Sequence, residues 1–197
     1  MTGRPPRRKV AERSSSARVA VAATVLFAVA FLSCLLFIRA YPLPEVRNDA
    51  AGYLDLARNI AAGKGFTQDG LHPMMYRPPL FPTLLGGWFW LTGTSSPVSA
   101  AVFQSLLHAS GVLVAFLLFL ELTPSFVLAT CAALFLAVNP LLVTRVVFIL
   151  QETTLLLFAT LAVLLSVRWI KGPSKTRAAL AGAVWGLCTL AKVVAWF

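Results

Sequence analysis

Acidic side chains are scarce in this chain: seven Asp and Glu stand against seventeen Lys and Arg in 197 residues, and all charged residues together make up 12%. So little charge cannot cover the surface of a soluble domain. Histidine is equally rare. His72 and His108 are the two in the chain; one falls in a polar loop and the other alone in an apolar run, which excludes a histidine metal set. The three cysteines, Cys34, Cys131 and Cys188, sit one to each of three different apolar runs. That distribution fits small packing residues and argues against a disulfide framework or a thiolate metal site. There is no phosphate-cradling glycine loop, no nucleophile elbow and no zinc spacing, and Gly63-Lys64-Gly65 is too short to count. No internal repeat stands out.

What is abundant is hydrocarbon. Hydrophobic residues make up 58% of the chain and the mean hydropathy is +0.81, values of an integral membrane protein. The net charge of +10 does not point to nucleic acid, because the cations are clustered by position. Arg4, Arg7, Arg8, Lys9, Arg13 and Arg18 precede the first apolar run, and Arg168, Lys171, Lys175 and Arg177 share one loop. Charge placed in this way orients a protein in a bilayer.

Residues 1–18 are basic and rich in Ser and Pro, with nothing to bury, and read as a disordered cytoplasmic tail. Val19 to Ile38 is twenty residues without a charge, long enough to cross about 30 Å of hydrocarbon as a helix. Its length and the lack of a small-x-small site after it argue for a permanent helix over a cleaved signal. Further spans are expected at Ser99 to Leu120, Phe126 to Val143, Thr153 to Ile170 and Ala178 to Trp196. Leu80 to Thr92 is apolar but short, with Pro82, Gly86, Gly87 and the run Trp88-Phe89-Trp90, which suits the headgroup level. If it does not cross, the loop holding Arg168 to Arg177 returns to the cytoplasm, as the positive-inside rule asks. The expected fold is therefore an all-α polytopic transmembrane bundle of about five spans, residues 19–197, with interfacial helices in a first outer loop over 39–98. Gly182-x-x-x-Gly186 offers a small-residue face for close packing. The chain stops at Phe197 inside an apolar stretch, and we read it as the N-terminal portion of a longer protein.

The one long polar stretch between apolar segments runs from Asn48 to Pro82 and holds three of the seven acidic residues, Asp49, Asp55 and Asp69. Tyr53, Ala57 and Ile60 form a helical stripe, so Asn48 or Asp49 is a candidate N-cap, and Gly63 a candidate stop. Beyond capping, Asp49 and Tyr53 lie four residues apart and present a carboxylate and a phenol on one face. Arg77 precedes Pro78-Pro79 on a stiff extended segment, where its guanidinium either snorkels or pairs with a lipid phosphate. Glu152 stands at the start of a span after Gln151, where the helix dipole favours a carboxylate; Arg145 is its candidate partner. Lys192 lies near the outer end of the last helix. Under the five-span count Asp49, Arg77, Arg145, Glu152 and Lys192 all reach the same, non-cytoplasmic side.

These residues carry a resemblance. Asp49 with Tyr53, then Ala57-Arg58 and Gly63-Lys64-Gly65-Phe66, the run Tyr76-Arg77-Pro78-Pro79-Leu80-Phe81-Pro82, Asn139-Pro140 with Glu152, and Gly186-Leu187 leading to Lys192 follow one another in a particular order and spacing. In that order the chain resembles the N-terminal part of a C-type polytopic membrane glycosyltransferase, of the dolichyl-phosphate-mannose-protein mannosyltransferase-like and aminoarabinose-transferase-like branch with the Rgt-type bacterial enzymes. The resemblance implies transfer of a sugar from a polyprenyl-phosphate donor to a hydroxyl of a lipid, glycan or protein acceptor, with inversion, at the outer face of a bacterial inner membrane. It implies Asp49 as the catalytic carboxylate, Glu152 as a second acidic group, and Arg77, with Tyr53, Arg58 and Lys192, as substrate-binding residues. Ala50 stands where some branches carry a second acidic residue, which weakens a metal-dependent variant; no cofactor is expected and a divalent cation is left open. A transporter or flippase fragment is the rival reading, but it calls for polar residues near the midplane of the spans, and these spans are almost bare. A non-catalytic membrane scaffold is the third.

Overall fold

A computed structural model describes the backbone of residues 7–192 and the side chains of residues 16–192. It is all-helical. Among the described residues eight helices follow one another: α1 Arg7–Ala40, α2 Asn48–Ala61, α3 Leu80–Thr92, α4 Pro97–Leu122, α5 Phe126–Val138, α6 Pro140–Arg145, α7 Glu152–Lys171 and α8 Lys175–Ala191. Three segments among the described residues are long and apolar enough to cross a membrane: Ser16–Ala40, Pro97–Leu122 and Glu152–Lys171.

The starts of the later helices are written in the sequence. Ser96, Ser125 and Ser174 each accept a hydrogen bond from the backbone N–H three residues on, and Pro97 occupies the first turn of α4, where its missing N–H costs nothing. The same chemistry corrects one expectation. Phe126 to Val143 is not one continuous span, because Pro140 cannot donate to the helix before it and Asn139 caps a new one, its Oδ1 accepting from Leu141 N at 3.0 Å. α5 therefore ends at 13 residues, and α6 leaves at the break. A second difference lies at the start of the chain. Helical backbone begins at Arg7, inside the stretch read as a disordered tail. Residues 7–18 contain neither Gly nor Pro, so the helix nucleated by the apolar span propagates back through them. Residues 1–6, and the end of the expected last span at 193–197, lie outside the described residues.

α4 forms the middle of the bundle, with α1 and α5 on one side and α7, backed by α8, on the other. Small side chains set these contacts. Ala129, Ala133 and Ala137 recur at four-residue spacing on α5 and are fully buried against Leu26 and Ala30 of α1 and Ala109, Val112 and Phe116 of α4. A Cβ on Gly111 would stand 3.8 Å from Leu157 Cα, so α4 and α7 pack nearly backbone to backbone. Cys34, Cys131 and Cys188 are unpaired, one each on α1, α5 and α8. The expected small-residue face of α8 finds no partner among the described residues: nothing lies within 4 Å of a Cβ built at Gly182 or Gly186. α8 meets α7 through other positions, with Trp185 Nε1 donating to Ser166 Oγ at 3.2 Å.

α2 and α3 lie across one end of this bundle. They run side by side in the same direction, with Tyr53 edge-on to Phe81 at 5.4 Å between ring centroids and Gly86 seated against Ala57 and Ile60. Near its start α2 reaches Gln151, just before α7, through the Tyr53 hydroxyl. Near its end it reaches Ser95, just before α4, through Arg58. Trp88 of α3 donates to Ser99 in the first turn of α4. Since α4 and α7 both begin at this end, the two short helices bridge their N-termini and do not run down the bundle. An apolar cluster of Tyr53, Leu56, Phe81, Leu85, Phe89 and Ile149 seals them to it.

Candidate functional site

The site is built at that end from three pieces of chain. The first is the opening turn of α2. Neither Asn48 nor Asp49 caps it: the N-cap is Arg47, without a side-chain hydrogen bond, and Asn48 takes the left-handed conformation at φ 51°, which Asn tolerates better than most residues. Asp49, freed from capping, turns to the second piece. The chain after α2 folds back along that helix, held by Asn59 Nδ2 on the carbonyls of Thr67 and Gln68 at 2.9 and 3.0 Å. The return brings Arg77 to Asp49, Nη2 to Oδ1 at 3.1 Å.

Burial makes this pair asymmetric. The Arg77 side chain is 13% exposed while that of Asp49 is 72% exposed. The guanidinium lies 4.8 Å from the centroid of the Tyr53 ring and 5.9 Å from that of Tyr76, an arrangement in which ring faces help hold a cation out of water. Arg77 Nε is buried and has no hydrogen-bond partner among the described residues. Burial also pushes the Tyr53 phenol above its usual range, with Arg77 beside it pulling the other way. The Tyr53 hydroxyl donates to Gln151 Oε1.

Gln151 belongs to the third piece, the irregular turn between α6 and α7. A buried side chain of α4 shapes that turn: Gln104 Nε2 donates to the carbonyls of Val146 and Phe148 at 2.9 and 2.7 Å. At the first residue of α7, Glu152 pairs with Lys192, the C-cap of α8, with 3.1 Å between Nζ and Oε1; its Oε2 is buried without a partner. Arg145 is not the partner expected for Glu152. It closes α6, the turn intervenes, and its guanidinium sits 6.0 Å from the Phe148 ring centroid.

Asp49, Tyr53, Arg77, Glu152 and Lys192 thus gather at one end of the bundle, linked through Gln151. Arg58 does not join them. It lies at the far end of α2, where it meets Asp55 at 3.4 Å and the Ser95 carbonyl at 3.2 Å. Gln151 and Gln104 went unselected in the sequence; an uncharged amide inside an apolar run is the signal that marks Gln104. The other carboxylate of the loop is occupied structurally. Asp69 Oδ1 accepts from the backbone N–H of Leu71 and His72 at 2.9 and 2.8 Å, and Oδ2 meets His72 Nδ1 at 2.7 Å. These bonds, led by those from His72, hold the Asp69 carboxyl well below the usual carboxylate range. Between this loop and α2 an open pocket of about 520 Å³ is lined by Asp55, Gln68, Asp69, His72, Met74 and Tyr76, among others.

Among the described residues, no three or more His, Cys, Asp and Glu come together as a metal set. The donors present at the site do not fit a divalent ion either, because Asp49 and Glu152 are each already paired with a cation. What the arrangement offers is a solvent-facing carboxylate beside a largely desolvated guanidinium, suited to a proton acceptor next to an anion.

A family model described as dolichyl-phosphate-mannose-protein mannosyltransferase matches residues 69–197, well over half of the chain. The matched segment contains Arg77, Glu152 and Lys192 and begins after Asp49 and Tyr53. No curated protein and no solved structure matches the chain.

Proposed function

The chain belongs to the dolichyl-phosphate-mannose-protein mannosyltransferase family, membrane glycosyltransferases that use a lipid-linked sugar, and from that premise we propose that it moves a sugar from a polyprenyl-phosphate donor to an acceptor hydroxyl with inversion, Asp49 acting as base and Arg77 holding the phosphate. The site end then faces outward and the N-terminus the cytoplasm. The placement of charge supports this orientation: Arg168, Lys171, Lys175 and Arg177 cluster at the opposite end of the bundle, the side that positive residues favour.

The observation that carries the reading is the Asp49–Arg77 pair, residues 28 apart in sequence and 3.1 Å apart in space. In the reaction the acceptor oxygen attacks the anomeric carbon while its proton passes to the Asp49 carboxylate. The bond from the anomeric carbon to the phosphate oxygen breaks, and its electrons leave with the lipid phosphate. That phosphate ends with one more negative charge than it began, so a cation fixed beside it stabilises the transition state more than the bound donor. Arg77 meets this need with a fixed charge that is largely shielded from water, its side chain being 13% exposed. Drawing the guanidinium toward the phosphate also loosens its hold on Asp49, leaving that carboxylate to the acceptor. Glu152 and Lys192 form a second charged pair reached through Gln151, and we assign them to holding the donor or acceptor rather than to the proton transfer.

Asp49→Asn separates these roles. In full-length protein in lipid nanodiscs, the variant should bind a polyprenyl-phosphate sugar yet lose transfer by about 10²- to 10⁴-fold. Full activity in Asp49→Asn would reject Asp49 as the base.

A further inference from the structure

Glycine inside a helix is a poor choice unless something needs the space. Gly87, Gly182 and Gly186 have nothing within 4 Å of a built Cβ. Gly52 is different. A Cβ there would stand 2.8 Å from Arg77 Nη2, 2.9 Å from its Cζ and 3.1 Å from its Nε. Its backbone is ordinary helix, since the positive-φ glycines are Gly63, Gly65, Gly70 and Gly93, so conformational freedom does not explain it. Gly52 lies between Asp49 and Tyr53 on α2, the two residues that Arg77 touches by charge and by ring face.

We propose that Gly52 is a positioning residue: its missing side chain is the seat of the Arg77 guanidinium, pressing it onto the α2 backbone between Asp49 and Tyr53 with Nε turned away from water. Any side chain at position 52 pushes the guanidinium out of that seat. Asp49 then keeps its place, but the cation no longer stands at a fixed distance from it. Only the functional half of this inference rests on the reading of Arg77 as the phosphate-holding residue; the seat itself does not.

Gly52→Ala is a clean probe. Alanine is the better helix former, and the atoms it displaces are the tip of a flexible side chain, so the variant folds. The first readout is exchange of the Arg77 Nε–H proton with water, followed by NMR on full-length protein in nanodiscs and assigned with Arg77→Lys. Slow exchange is expected in the parent, and exchange at least about tenfold faster in Gly52→Ala, as a buried hydrogen is released to solvent. Equal exchange in the two overturns the seat.

The second readout is affinity for polyprenyl phosphate, with polyprenol as the uncharged control. Gly52→Ala should weaken polyprenyl-phosphate binding about tenfold, the scale of one misplaced charge-assisted hydrogen bond, and leave polyprenol unchanged. On an Arg77→Ala background Gly52→Ala should add nothing, whereas on Arg77→Lys, whose ammonium needs less room, its effect should shrink. A full additional loss on the Arg77→Ala background means that Gly52 acts elsewhere and overturns the proposal. Should Arg77→Ala bind polyprenyl phosphate like the parent, the phosphate role of Arg77 is rejected, and the exchange measurement alone decides the seat.

Discussion

The two ends of the bundle both carry ion pairs, and they are built to opposite rules. At the end away from α2, Glu121 stands between two cations, with Arg168 Nε at 2.9 Å and Lys171 Nζ at 3.0 Å, and Lys171 also reaches the Glu121 carbonyl. Arg177 adds bonds to the carbonyls of Arg168 and Gly172. There the groups close off helix ends and tie α4 to α7. At the site end, Arg77 is the buried member and Asp49 the exposed one. Polar atoms are left open as well. The buried side-chain atoms without a partner among the described residues are Arg77 Nε, Gln104 Oε1, His108 Nε2, Glu152 Oε2 and Thr154 Oγ1, and all belong to the half of the bundle nearer the site. An unpaired buried polar group costs about 1–3 kcal/mol, so this half of the bundle carries a cost that the Glu121 end, where both carboxylate oxygens meet a cation, does not.

The contrast can be broken most sharply at Asp49, where Asp49→Asn should cut transfer about 10²- to 10⁴-fold, while Glu121→Gln at the other end leaves transfer intact. Next comes Gln104→Leu. It strips the partner from two carbonyls of the turn that carries Gln151 and Glu152, so thermal unfolding in detergent should show a loss of about 2 kcal/mol, with transfer falling alongside it. Gln151→Leu removes one bond between α2 and the start of α7, and donor affinity should fall by about fivefold, the scale of one neutral hydrogen bond. Glu121→Gln itself should cost no more than about 1 kcal/mol of stability, since its partners are about half exposed. A large effect there with a small one at Gln104 would reverse the comparison.

The smallest expected effect is in the loop. Asp69 has a folded-state pKa below its unfolded value, so its contribution is present above the ordinary carboxylate range and is lost as pH falls through that range toward the depressed value. Proteolysis of the 63–79 loop should quicken over that acid window in the parent, and Asp69→Asn should abolish the pH dependence. Acceleration on raising the pH instead would contradict the sign.

Much of this was legible from residues alone, for reasons that can be stated. The long spans declare themselves by length and lack of charge, as at Ser16–Ala40 and Pro97–Leu122. The short Leu80 to Thr92 segment was readable as a separate apolar helix, and α3 has those bounds and packs against α2. Asp49 and Tyr53 were visible as a pair because helical spacing is periodic. Arg77 could be singled out, but the backward run of the loop that delivers it depends on tertiary bonds such as those of Asn59, which no local pattern carries. Pro140 was visible and its consequence underestimated: apolarity continued past it while the hydrogen-bond ladder could not. Arg145 was matched to Glu152 by proximity in sequence, whereas the turn between them is set by Gln104 from another helix. Arg58 was selected beside Asp49 and Tyr53, yet more than two helical turns separate it from Asp49.

The central claim is that Arg77 leaves Asp49 for the phosphate of the donor, and polyprenyl-phosphate binding to the full-length protein in nanodiscs tests it directly. Asp49→Asn should bind at least as tightly as the parent, because the competing carboxylate charge is gone, while Arg77→Ala binds at least about tenfold more weakly, the scale of a lost charge-assisted bond. Binding abolished by Asp49→Asn, or unchanged by Arg77→Ala, would contradict the account.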